Sequence, residues 1–185
     1  VPCNGDATVT YMNSVASKFY GSLNLQPTNH YLVILAPQFD SHCVWAAKSL
    51  VGDYHIPAGI TILQDNAIPY VITHELGHAL GLGHSNYMKC PNPGDAEWSS
   101  CQNIEYAGAV DIMSNIDTPG ALNLYHQWRL GLLNSDNIAS IQSTSSYELN
   151  SIESKTGLRG LFLHEGSSVY WIEYRPALET YKAGL

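Results

Sequence analysis

The chain lacks any uninterrupted run of about 18 apolar residues, the length a helix needs to cross a bilayer, so no helical membrane span is expected. Positive charge is scarce: eight Lys and Arg stand against sixteen Asp and Glu, a formal charge of −8. That balance opposes binding to nucleic acid or to an anionic membrane surface, and neither partner is expected. No C-x-x-C pair occurs, which removes the sequence ground for a cysteine metal site or a thioredoxin-like centre. Val1-Pro2-Cys3 has neither the basic start nor the apolar centre of a signal peptide. The numbering therefore reads as beginning after processing. Gly184-Leu185 ends without a finishing element, as in a piece of a longer product. Internal repeats and low-complexity tracts are absent as well.

What is present suits a globular, monomeric protein. A length of 185 residues with 45% hydrophobic content supports one substantial domain with a real core. Four cysteines allow three pairings. Cys90 and Cys101 bracket a loop rich in Pro, Gly, Asn and Ser, so Cys90–Cys101 with Cys3–Cys43 is the arrangement that closes local loops. Disulfides persist in oxidising compartments, which implies a secreted, extracellular protein, with the periplasm as a further location.

One stretch carries chemistry. His74-Glu75-Leu76-Gly77-His78-Ala79-Leu80-Gly81-Leu82-Gly83-His84 fills every fixed position of H-E-x-x-H-x-x-G-x-x-H, a match whose chance occurrence in a chain of this composition is on the order of 10⁻⁴ to 10⁻⁵. Residues four apart share a helix face, so His74 and His78 aim two imidazoles at one ion, and Glu75 sits beside it. A catalytic Zn²⁺ usually takes three protein ligands and keeps one position open for water. The third ligand must come from chain that has left the helix. Gly81 provides the exit, because glycine enters the left-handed conformation of a helix end without steric cost, and His84 follows. Three imidazoles leave no carboxylate for a non-haem iron triad and no thiolate for blue copper, so one catalytic zinc is the expected cofactor. Asp111 is assigned to a turn rather than to the metal. His30, His42, His55, His126 and His164 are not assigned as ligands.

Along the chain, Asp6 to Tyr20 carries Val9, Met12, Val15, Ala16 and Phe19 at helical spacing, with Asp6 able to cap the start. The run Tyr31 to Ala36 reads as a strand buried on both faces. Val44 to Val51 and Ile60 to Leu63 read as further strands, completing a sheet of three or four. Asp65 or Asn66 caps the metal-bearing helix, expected over residues 67–80, with Pro69 tolerated in its first turn. A long irregular connection to Tyr106 follows, pinned by Cys90–Cys101. Asn123 to Gly131 has helical periodicity and a glycine stop. The serine-rich stretch 140–146 marks a boundary between residues 1–139, a catalytic domain, and 140–185, a β segment. In that segment Gly160 to His164 and Val169 to Arg175 flank Glu165-Gly-Ser-Ser168 as a β-hairpin.

His74 to His84, followed by Met113 in Asp111-Ile-Met-Ser114, resembles the signature of metzincin-clan zinc metallopeptidases, an extended histidine motif plus a methionine-bearing turn. Residues 105–108, 111–114, 123–131 and 170–175 are similar to gametolysin-like bacterial and algal peptidases. The resemblance implies that His74, His78 and His84 bind zinc, that Glu75 is the general base, and that Met113 packs beneath the metal. It also implies an α+β fold: a metzincin-like catalytic domain with a twisted mixed sheet, a backing helix, an active-site helix and an irregular C-terminal subdomain, followed here by the short β-hairpin. A first strand normally precedes the backing helix, yet only five residues precede Asp6. Astacin- and serralysin-like members carry a tyrosine two residues after the methionine, where this chain has Asn115, so no role passes to that position.

The expected function is therefore that of a secreted zinc metalloendopeptidase acting on protein or peptide substrates, in which a zinc-bound water attacks the scissile carbonyl and Glu75 manages its proton. The alternative is a catalytically inactive, zinc-binding secreted interaction module of the same fold. Extended substrate would pair with an exposed sheet edge, either Val44 to Val51 or Ile60 to Leu63. Val110, Ile112, Ser114, Asn115 and Ile116, mostly apolar or neutral, are expected to wall the prime-side pocket and to favour cleavage before apolar or neutral residues.

Overall fold

A computed structural model describes residues 2–23, 31–36, 43, 45–53, 55, 59–64, 69–91, 100–108, 110–114 and 121–176. The chain divides into two compact units, Val1–Gly83 and His84–Leu185. All four cysteines are paired, Cys3 with Cys43 and Cys90 with Cys101. The fold is α+β, with small mixed sheets and few helices, consistent with a metzincin-like domain.

In the first unit, helix α1 (Gly5–Leu23) buries Thr8, Met12, Ala16 and Tyr20, a stripe of period four. Val9 and Phe19, expected on that face, are 39% and 43% exposed because they lie to either side of the stripe. Thr8 is tolerated inside because its hydroxyl donates within 2.8 Å to the carbonyls of Pro2 and Asn4. The cap is also Asn4 rather than Asp6: its Oδ1 accepts from the amide of Ala7 at 3.0 Å. Asp6 lies in the first turn, where a negative charge suits the helix dipole. No strand precedes α1 among the described residues.

Met12, Ala16 and Tyr20 pack on a three-stranded sheet of β1 (Leu32–Ala36), β2 (Ala47–Ser49) and β3 (Ile60–Gln64), ordered β1-β3-β2. β3 is central, parallel to β1 with Leu32 opposite Ile60 and antiparallel to β2 with Ala47 opposite Leu63. Central position decides burial. Ile60, Thr61, Ile62 and Leu63 are all buried, whereas Val33 and Leu35 of the edge strand β1 are exposed. The expectation of a doubly buried strand at residues 31–36 thus belongs to β3, and β3 is no edge for a substrate. β2 is shorter than the expected Val44 to Val51, although Ala46 and Leu50 still bond to Gln64 and Ile60 at its ends. Helix α2 (Pro69–Ala79) then carries the histidine motif. Its expected caps, Asp65 and Asn66, lie outside the described residues.

The second unit opens with a hairpin of β4 (Tyr87–Lys89) and β5 (Gln102–Ile104) where an irregular connection was expected. Helix α3 (Leu124–Arg129) is capped by Asn123, whose side chain accepts from the amide of His126 at 2.8 Å, and ends at Gly131 with φ +67. A mixed sheet follows: β6 (Ile138–Ser140) runs parallel to β7 (Gly160–Glu165), which pairs antiparallel with β8 (Ser168–Glu173). The β7–β8 turn is tighter than expected, because Glu165 and Ser168 pair and leave only Gly166 and Ser167 between them. Gly166 has φ +58, the left-handed conformation that two-residue hairpin turns require.

This sheet is welded to α3. Gly160 gives Leu124 its space, since a Cβ there would overlap the leucine side chain. Leu124 donates its amide to Glu173 Oε2 at 2.6 Å. The buried Arg159 guanidinium donates to Gln127 Oε1, Asn137 Oδ1 and the carbonyls of Leu132 and Ile152, all within 3.3 Å. Arg175 bonds the carbonyls of Val110 and Ala121 at 3.0 and 3.1 Å. Residues 140–176 therefore brace the methionine-bearing turn and α3 within one compact unit.

Candidate metal centre

The end of α2 is built to release the chain at one residue. The amide of Leu82 donates to the carbonyl of Gly77 and that of Gly81 to His78, both at 2.9 Å, the paired bonds of a Schellman ending. Gly81 has φ +87, and a Cβ there would come within 3.0 Å of Asp53 Cα and Gly52 O. Glycine is thus required for conformation and for space.

Ligand nitrogens of His74, His78 and His84 lie within 4.8 Å of one another, all three carried on the eleven-residue motif stretch. The rings of His74 and His78 stand edge to face with centroids 4.8 Å apart. His78 Nδ1 lies 2.9 Å from the carbonyl of Leu82, and His84 Nδ1 lies 2.6 Å from Glu105 Oε1. Each partner can only accept, which assigns the proton to Nδ1 and makes Nε2 the nitrogen that carries the lone pair in both rings.

Glu75 is buried, and its Oε2 has no hydrogen-bond partner among the described residues. Burial pushes its carboxyl up to about 7, against the opposing pull of the Ser49 amide, which donates to it. Behind Ser49, Thr61 donates to the Ser49 hydroxyl at 2.8 Å, and Tyr31 makes a short contact with Thr61. Burial raises the Tyr31 phenol, the hydroxyls of Thr61 and Ser49 oppose that, and the Glu75 charge adds to it. Three imidazoles with an orphaned buried carboxylate oxygen fit a divalent cation such as zinc: nitrogen donors suit the ion, and an oxygen without a donor is costly unless something positive or protic faces it.

Met113 is fully buried in a turn tied to the residue that follows His84. Its carbonyl accepts from the amide of Ser85 at 2.8 Å, and its amide donates to Asp111 Oδ1 at 2.7 Å. The other oxygen of Asp111 accepts from the amide of Asn123 at 2.7 Å and from the His126 ring at 3.0 Å. His126 is thereby committed to Asp111. Burial alone would raise the Asp111 carboxyl, but the His126 ring and the amides of Met113 and Asn123 outweigh it and hold it below the usual range.

Of the residues expected to wall a specificity pocket, Ile112 and Ser114 are buried within the turn and Val110 is half-buried. Asn115 and Ile116 lie outside the described residues, as do His30 and His42. His55 and His164 are exposed. The sequence reading missed Glu105, twenty-one residues from its partner, and the Ser49–Thr61–Tyr31 chain, whose residue types carry no signal of their own.

Residues 50–116 match the family described as dual-action HEIGH metallo-peptidase. The matched span covers β3, α2, the three histidines, Glu75, Glu105 and Met113, and the pentad in that description stands here as His74-Glu75-Leu76-Gly77-His78. The likeness supports a zinc metallopeptidase of metzincin type, and with it a protein or peptide substrate. No curated protein and no solved structure matches the chain.

Proposed function

We propose that the chain is a secreted, monomeric zinc endopeptidase in which His74, His78 and His84 hold one ion and Glu75 is the general base. The observation that carries this reading is the convergence of three imidazoles next to a buried carboxylate with an unmatched oxygen. Bound zinc supplies Lewis acidity, polarising a scissile carbonyl and lowering the pKa of water from about 15.7 to about 7. Glu75 accepts a proton from the attacking water at Oε2 and returns it to the leaving nitrogen. The Ser49 amide restrains the carboxylate while leaving Oε2 free. β2, an edge strand that supplies this amide, is the edge at which an extended peptide would pair, through main-chain groups other than the Ser49 amide.

Residues 1–139 carry this chemistry, and 140–185 are a separate C-terminal segment, whose β7 and β8 lie beside α3. Met113 acts as packing behind the His84 segment. Residues 105–108, 111–114, 123–131 and 170–175 align the protein with gametolysin-like peptidases. Two disulfides are compatible with secretion, and among the described residues no helix is long and apolar enough to cross a membrane. The net charge of −8 favours neither nucleic acid nor a membrane surface as partner.

The test is metal analysis joined to cleavage of casein and gelatin. About one equivalent of zinc is expected, with cleavage abolished by 1,10-phenanthroline and restored by added zinc. Zinc bound at that stoichiometry without cleavage of either protein would favour the inactive interaction module instead.

A further inference from the structure

His84 and Glu105 are brought together by a hairpin that has little else to do. β4 begins three residues after His84 and β5 ends at the residue before Glu105, so the paired strands deliver both side chains to the same open end. All six strand residues are exposed, and two such short strands cannot hold each other in water. At the far end Cys90 and Cys101 continue the register that pairs Lys89 with Gln102, and their disulfide closes the loop.

The open end is tightly made. The amide of Tyr106 donates to Asn86 Oδ1 and that of Gly108 to the carbonyl of Ser85, both at 3.0 Å. A Cβ on Gly108 would come within 2.7 Å of that carbonyl oxygen, so only glycine allows the approach. Tyr106 holds φ +62, a conformation tyrosine rarely adopts, and its ring lies 3.8 Å from that of His84. Left-handed backbone at a bulky residue persists only where its surroundings impose it.

We propose that Glu105 is a positioning residue for His84, kept in place by the disulfide-closed hairpin, and that it sets the affinity of the centre for zinc. The proposal rests on the zinc reading above. Glu105 is 64% exposed against 20% for His84, so the pair contributes little to folding. Its effect is on the ring: an acceptor at Nδ1 fixes the orientation of His84 and holds the tautomer in which Nε2 carries the lone pair. Loss of such a partner typically costs about 10–100-fold in metal affinity, and the exposure of Glu105 places the expectation near tenfold.

Zinc affinity is measured on the full chain by competition with a chromophoric chelator, alongside the thermal midpoint of the metal-free protein. Glu105→Ala is expected to bind zinc about tenfold more weakly with an unchanged metal-free midpoint. Glu105→Gln, which keeps an acceptor oxygen, is expected to recover most of the affinity. Cys90→Ser with Cys101→Ser is expected to weaken binding in the same direction, and unchanged affinity in that pair would overturn the part given to the hairpin. Wild-type affinity in Glu105→Ala would overturn the proposal and leave the zinc centre standing. Absence of zinc binding by the wild type would overturn the proposed function itself.

Discussion

His126 Nδ1 donates to Asp111 Oδ2 across 3.0 Å, with Asp111 wholly buried and His126 nearly so. The same carboxylate accepts the amides of Met113 and Asn123, so one side chain ties the methionine turn to the start of α3. Removing it leaves several buried donors unmatched, and Asp111→Ala is expected to cost about 3–5 kcal/mol in urea unfolding. Because the folded-state pKa of Asp111 is depressed, its contribution is complete above the unfolded value and is lost as pH falls through the folded one. The stability of the wild type should therefore fall below about pH 4, and Asp111→Asn should flatten that limb. Parallel pH profiles for the two proteins would show that Asp111 is not the acid-sensitive group.

Glu75→Gln keeps the shape of the side chain and the Ser49 contact while removing the ability to take a proton. Turnover of casein is expected to fall by about 10²–10⁴ with zinc content unchanged. Retention of full activity with zinc bound would assign proton transfer to another group.

At Gly81, an alanine would meet both a left-handed backbone and the main chain of Gly52 and Asp53. The conformational cost alone is about 1–2 kcal/mol, and the backbone atoms at 3.0 Å cannot yield as a flexible side chain would. Gly81→Ala is expected to lose more than about 2 kcal/mol and to weaken zinc binding by displacing the path to His84. Gly166→Ala is the control, since φ is +58 there but no atom lies within 4 Å, and a loss of about 1 kcal/mol is expected. Equal losses at both positions would mean that contact with Gly52 and Asp53 contributes nothing.

Cleavage is expected before apolar or neutral residues. With Ile112 and Ser114 turned inside, Val110 and the uncharged residues after Ser114 remain as candidates for the pocket wall. Profiling on a peptide library, read by mass spectrometry, checks this. Enrichment of Asp or Glu just after the scissile bond would instead point to a cation such as Lys89, which is exposed on β4.

The parts of the site legible in the sequence are those fixed within a few residues. The four-residue spacing of His74 and His78 and the glycine exit at Gly81 are local geometry, and α2 follows them. Burial was harder to read, because residues 32–36 and 60–63 are both short, largely apolar runs and only the order β1-β3-β2 decides which is enclosed. Asn4 and Asp6 are both good caps, separated by a choice of helix start that the pattern does not fix. β6 was invisible: three residues of weak pattern pair with β7 only because Asn137 accepts Arg159 and Gly160 amides from twenty-odd residues away. Glu105 reaches His84 for the same reason, through a partnership made by the hairpin rather than by proximity in the chain.

The indole rings of Trp128 and Trp171 stand 5.3 Å apart at 42°, with Phe162 5.4 Å beyond Trp171 and Tyr125 beside both tryptophans. Chromophores at that separation and tilt share their excitations, so the seam between α3 and the β6-β7-β8 sheet has an optical signature of its own. Near-ultraviolet circular dichroism would report the integrity of that seam without any label. It would do so whether or not the histidines were loaded with metal.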